Sequence, residues 1–214
     1  MGRFKCTRRI IYVVYVFFDK YCHIIMLIAF HKPYLCLSQF TSDGSQNITL
    51  AEFHFPSDVY PIGRLDADSE GLLLLTNEKK YIDRLLNPLF RHKRIYWAQV
   101  ENIPTPESLA RLSQGIMIDR YRTMPCYGQI LDPQPIIAPR HPPIRVRKHI
   151  PDCWIELVLV EGKNRQVRKM TAAIGHPTLR LMRVAVGGLR IGTLKPGEWR
   201  ILSPEDIRLL METE

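Results

Sequence analysis

The stretch Tyr60-Pro61-Ile62-Gly63-Arg64-Leu65-Asp66-Ala67-Asp68-Ser69-Glu70-Gly71-Leu72-Leu73-Leu74-Leu75-Thr76-Asn77 changes character halfway along. Its first half is polar and punctuated by Pro61 and Gly63; its second half holds four consecutive leucines. An unbroken apolar run of that length, bounded by polar residues, has the length of a buried strand. The polar half is then a loop that feeds this strand, and it carries Asp66 and Asp68. Taken alone, a carboxylate on such a loop is a solvated turn residue.

Working outward, Leu27 to Phe30 is a second apolar strand, ended by Lys32-Pro33. Ile95 to Val100 and Trp154 to Val160 also read as strands, and in the latter Ile155, Leu157 and Leu159 share one face. Thr105-Pro106-Glu107 starts a helix, with a capping hydroxyl and a proline at its first position, and Gly115 stops it. Ser203-Pro204-Glu205-Asp206 repeats that start and opens a helix whose apolar side carries Ile207, Leu210 and Met211. Lys195-Pro196-Gly197-Glu198 predicts a type II turn with a strand on each side. Gly187-Gly188 reads as a bend. Short strands broken by separate helices, with no internal repeat, predict an α+β fold.

The chain has 214 residues and a formal charge of +9, a balance suited to a polyanionic partner. Its five cysteines lie far apart with no CxxC pair, and its seven histidines are scattered. That pattern excludes a zinc ribbon, a redox dithiol and a secreted disulfide framework, and predicts no metal site and a cytoplasmic location. Ile10 to Phe18 is apolar, but nine residues are too few to span a bilayer, and Asp19 and Lys20 follow directly. Residues 1–25 read as a poorly ordered extension, and residues 26–214 as one folded domain.

Basic residues are concentrated in two acid-poor stretches. Pro139 to Ile150 carries Arg140, Arg145, Arg147 and Lys148, with prolines that favour an extended, exposed arm. From Gly162 to Arg200, nine lysines and arginines face Glu198 alone. A charge run is commonly just a solvated face, but two of them in one half of a small chain point to phosphate binding. Within the second, Glu161-Gly162-Lys163-Asn164-Arg165-Gln166-Val167-Arg168-Lys169-Met170 predicts a turn into a helix capped by Asn164 and ended by Gly175. Val167, Met170 and Ile174 would face the core. Arg165, with Arg168 or Lys169, would line the other flank, where a helix start dressed with arginines suits an oxyanion, either a phosphate or a side-chain carboxylate.

Gly63-Arg64-Leu65-Asp66, followed by Ser69 and Gly71-Leu72-Leu73-Leu74-Leu75-Thr76, resembles the signature loop of pseudouridine synthases. More narrowly it resembles the branch that modifies small- and large-subunit ribosomal RNA. Phe30-His31-Lys32-Pro33-Tyr34 and Leu37-Ser38-Gln39-Phe40-Thr41 upstream, and Gln166-Val167-Arg168 downstream, stand in the family's order. The resemblance runs from residue 27 to about 202. It implies a mixed, mostly antiparallel sheet flanked by helices around an RNA-binding cleft. It further implies large-subunit ribosomal RNA as partner, and no cofactor, no protein partner and a monomeric state. Many relatives carry an S4-type RNA-binding domain ahead of the catalytic one; with 26 residues ahead of Leu27, none is expected here.

The same resemblance proposes residue roles. The reaction breaks the uridine N1–C1′ bond, turns the base and rejoins it through C5. Asp66 would be the essential carboxylate, acting as nucleophile or as manager of charge and protons at the sugar. Asp68 would be structural. Tyr96 would stack on the base or move a proton, although Arg94-Ile95 stands where the family usually has lysine and threonine; read without the resemblance, Tyr96 is a core aromatic. Arg168 would pair with Asp66 and keep it ionised. Arg64 would hold the target base outside the helix, and Leu181 would wall the flipped base. Arg165, Lys169, Arg140, Arg145, Arg147 and Lys148 would bind RNA. A catalytically silent RNA-binding protein would lack the aspartate, tyrosine or arginine. A metal- or phosphate-loop enzyme would show clustered acids or a GxxxxGK loop.

Overall fold

The computed structural model describes residues 14–15, 24–144 and 150–212. Val14–Tyr15 (β1) and Ile24–Ile25 (β2) pair antiparallel with each other. Met26 N–H donates to Asn77 Oδ1 (2.9 Å), and its carbonyl accepts from the Thr76 hydroxyl (2.8 Å).

The leucine run is indeed a strand. In chain order the next elements are β3 (Leu27–Lys32), β4 (Tyr60–Pro61), β5 (Glu70–Thr76), α1 (Lys79–Leu86), β6 (Arg94–Glu101) and α2 (Pro106–Ser113). There follow the short hairpin β7 (Met117–Ile118) and β8 (Tyr121–Arg122), then β9 (Tyr127–Ile130), β10 (Asp152–Leu159), α3 (Gln166–Ala173) and β11 (Thr178–Val186). The chain closes with β12 (Leu189–Arg190), β13 (Trp199–Ile201) and α4 (Pro204–Met211). One mixed sheet runs β13-β3-β5-β11-β6-β10-β9, with β4 on β5 and β12 on β11.

All seven residues of β5 are buried, because both faces are covered. Leu72 and Leu74 pack with Leu85 of α1 and Leu210 of α4, while Leu73 and Leu75 pack with Phe30 and Leu50. On β10, Ile155, Leu157 and Leu159 meet Val167, Met170 and Ile174 of the α3 segment, as their spacing predicts. The hydroxyls of Thr105 and Ser203 cap α2 and α4, the latter in a capping box with Asp206. Lys195–Glu198 forms a turn, with Glu198 N donating to Lys195 O (2.9 Å), but a strand follows it without one directly preceding it. Gly187-Gly188 is more than a bend: it is the two-residue turn of the β11–β12 hairpin. Among the described residues no helix is long and apolar enough to cross a membrane.

The join that matters most is between β5 and β11. They run parallel, with Met182 opposite Glu70 and Arg183 opposite Gly71. A Cβ at Gly71 would lie 2.3 Å from the Arg183 carbonyl oxygen, and its φ is +103°, so only glycine lets the strands approach so closely. Beside this join, Glu70 and Arg180 form a buried two-pronged ion pair (2.8 and 2.7 Å). The sequence reading did not single out this pair.

Candidate active site

The loop before β5 is held from both sides of Asp66. Ser38 Oγ donates to Leu65 O (2.8 Å) and accepts from Leu65 N (3.0 Å). On the other side, Ala67 O accepts from Leu35 N (2.8 Å) and from Lys32 Nζ (3.3 Å). Lys32 is fully buried, and its ammonium also donates to Cys36 O (2.6 Å) and Pro33 O (3.0 Å). Burial pushes this amine down to about 8. Ser69 N donates to Asp66 O (3.0 Å) and closes the turn. Asp66 therefore stands on a backbone whose position the Lys32–Ser38 segment dictates. A lysine inside an apolar strand end was the available signal for this clamp.

Asp66 opens into a cavity of about 910 Å³, whose lining includes Arg64, Tyr96, Arg165, Leu181 and Arg183. Tyr96 is half-buried on β6 and packs against the two apolar clusters beneath the cleft, while its neighbour Trp97 faces the opposite side of the sheet. Core aromatic and cleft aromatic are thus the same residue. Leu181 is a buried wall, and Arg64 is exposed at the rim.

The arginines of α3 are arranged differently from expectation. The cap position is Arg165, in the left-handed region at φ 50°, and not Asn164. Gln166 N donates to Lys163 O (3.1 Å), and Gln166 Oε1 accepts from Lys163 N (2.9 Å), so the turn tightens one residue later than read. Arg165 then makes a bidentate pair with Asp68 and comes within 3.9 Å of Asp66. Arg168 does not ion-pair with Asp66. Its guanidinium donates to the Asp68 carbonyl (2.7 Å) and lies 3.4 Å from the Asp68 carboxylate. Asp68, at the tip of the turn and nearer α3, intercepts both cations. Burial raises the Asp68 carboxyl, but hydrogen bonding from Arg165 and the charges of Arg168 and Arg165 outweigh it, and the net shift is downward.

The other basic residues divide. Lys169 is paired with Asp119 in the β7–β8 turn. Arg140 is not on an exposed arm: it is half-buried, stacked 3.7 Å above the Tyr34 ring, and borders a separate cavity of about 720 Å³ reached by Trp97 and Met182. The backbone beside it is tied down by Arg180, which donates to Ala138 O (2.8 Å). Arg145, Arg147 and Lys148 lie outside the described residues. Two cleft cations were given no site role by the sequence: Arg183, donating to Leu72 O (2.8 Å), and Arg94, donating to Leu85 O (3.1 Å).

Residues 26–173 match the RNA pseudouridylate synthase family, and the chain belongs to that family. It is 52% identical over 173 residues to ribosomal large subunit pseudouridine synthase E of Xanthomonas axonopodis pv. citri (strain 306), covering 80% of this chain and 90% of the relative. It is 33% identical over 181 residues to ribosomal large subunit pseudouridine synthase B of Bacillus subtilis (strain 168), covering 84% and 69%. A solved structure titled as a pseudouridylate synthase superposes with a TM-score of 0.71 at 24% identity, over 87% of this chain and 74% of the other, and shares the fold.

Proposed function

We propose that this protein isomerises a uridine of large-subunit ribosomal RNA to pseudouridine, with Asp66 as the essential carboxylate. The observation that carries the assignment is the clamping of the Asp66 backbone by Ser38, Leu35 and Lys32 at the floor of an arginine-lined cleft. The uridine leaves its helix, because C1′ and C5 cannot be reworked within a stack. Asp66 meets the sugar as N1–C1′ breaks, and the base turns against Leu181 and Tyr96. C5 then bonds to C1′, and the proton lost from C5 is balanced by the one gained at N1. Nothing else is consumed, so no cofactor is required. Arg168, through Asp68, holds Arg165 and the loop in place, and Arg64, Arg165 and Lys169 meet phosphates. The enzyme acts as a cytoplasmic monomer without a protein partner, and residues 26–214 carry the activity.

Asp66→Asn keeps the shape of the side chain and removes its charge and basicity. Product formation should fall by about 10²–10⁴-fold or more, with RNA affinity retained. Turnover near the wild-type rate in a preparation free of deamidated protein removes Asp66 from this role.

A further inference from the structure

Between α1 and β6 the chain makes a single 3₁₀ turn, Pro88–Phe90, at the lip of the cleft. Its apolar side chains face outward, with Leu89 84% exposed and Phe90 39%, and Leu86 at the end of α1 is 41% exposed. Single exposed apolar residues are ordinary, but two on one short, ordered turn with a third at the helix end just before it need a reason.

The turn is stiff. Asn87 Oδ1 accepts from Leu89 N (3.0 Å), Arg91 N donates to Pro88 O (3.1 Å), and Asn87 N donates to Asp83 O (3.0 Å). Phe90 is steadied by the Arg84 guanidinium, 5.1 Å from its ring centre, and by the His92 ring at 6.3 Å. At its base, Arg94 on the Tyr96 strand holds Leu85 O (3.1 Å). Leu86 and Pro88 line the same cavity as Asp66, Tyr96 and Arg64. The tip is therefore an apolar point fixed relative to the catalytic cleft. Arg84, at the Phe90 ring, and the exposed Arg91 flank it, with Arg94 at its base, against Asp83.

We infer that this turn is a wedge and that Leu89 enters the RNA base stack beside the extruded uridine. The inference rests on the proposed activity and adds a positioning residue to it. Extrusion leaves a gap between neighbouring bases, and branched or aromatic apolar side chains are what proteins insert into unstacked base steps. The flanking arginines supply the phosphate contacts that bring such a tip to a helix, a complement that favours RNA over a protein partner. The wedge recovers part of the stacking lost when the base leaves.

The test compares two RNA hairpins from the large subunit, one with the target uridine base-paired and one with it opposite a mismatch. Leu89→Ala should slow single-turnover product formation about tenfold on the paired hairpin and less than about twofold on the mismatched one, since a pre-opened base is cheaper to extrude. Leu89→Met should restore the paired rate. A 2-aminopurine placed 3′ of the target should brighten on binding wild-type protein and stay dim with Leu89→Ala, a signal that a merely structural leucine would not move. Equal rates for wild type and Leu89→Ala on the paired hairpin, or equal slowing on both RNAs, overturns the wedge while leaving the activity standing. Absence of product with wild-type protein on either RNA overturns the activity itself and the wedge with it.

Discussion

The Arg165 guanidinium grips the Asp68 carboxylate through two hydrogen bonds of 3.0 and 2.9 Å. This pair joins the Asp66 loop to the start of α3 across 97 residues of chain. It places the same guanidinium 3.9 Å from Asp66 without committing it there. A cation so held can meet an RNA phosphate or steady charge at Asp66 without having to be recruited, and Asp68 is what holds it.

Asp68→Asn removes that anchor from both Arg165 and Arg168. Turnover should fall while Asp66 is untouched, and stability at neutral pH should drop by about 1 kcal/mol, because Arg165 is partly solvent-screened. Folding holds the Asp68 carboxyl below its usual range, so its contribution is present above the unfolded carboxylate value and lost as pH falls through the folded one. Denaturation of the two proteins should therefore converge in acid. A gap that persists unchanged as pH falls far below the ordinary carboxylate range contradicts the ion-pair account.

Lys32→Met should be severe for a residue that touches no substrate. It leaves the carbonyls of Pro33, Cys36 and Ala67 without their buried donor, at a cost of about 2–4 kcal/mol. The released Ala67 backbone should lower kcat more than RNA affinity. The folded amine sheds its proton from about 8, whereas the unfolded one keeps it to about 10.5. Wild type should accordingly gain stability relative to Lys32→Met as pH rises through that window. Chemical denaturation at several pH values reads both effects.

Gly71→Ala tests the parallel join. The new methyl group meets the Arg183 carbonyl oxygen at 2.3 Å on a backbone of φ +103°. A loss of about 3 kcal/mol or more is expected, or failure to fold, since neither backbone can move without breaking the β5–β11 ladder. A Tm within a degree or two of wild type means the strands are not so closely apposed.

Alanine at Arg145, Arg147 and Lys148 should weaken RNA binding and flatten its salt dependence by about one unit per lost phosphate contact. Turnover at saturating RNA should hold, because these residues are proposed to meet the backbone and not the reacting base. Unchanged affinity and salt slope would leave them as solvated charges.

Much of this protein is written locally. The four leucines of β5, the alternation along β10, the hydroxyl caps of α2 and α4 and the Val167, Met170, Ile174 spacing are each readable, because burial imposes a period of two or 3.6 residues on a short segment. The Asp66 loop and the arginine-bearing start of α3 were legible in the same way, as motifs. The resemblance implied that they meet, but not which groups pair. Their meeting depends on β11 docking parallel to β5 at Gly71, and it then decides that Asp68 takes both arginines while Asp66 is only approached. The same long-range packing buries Lys32 under the loop, stacks Arg140 on Tyr34 and turns Leu89 outward at the cleft's lip. Periodicity records which face of a segment is covered. The partner of a charged group is set by separations of a few ångströms between segments about a hundred residues apart, and only the assembled tertiary structure fixes those.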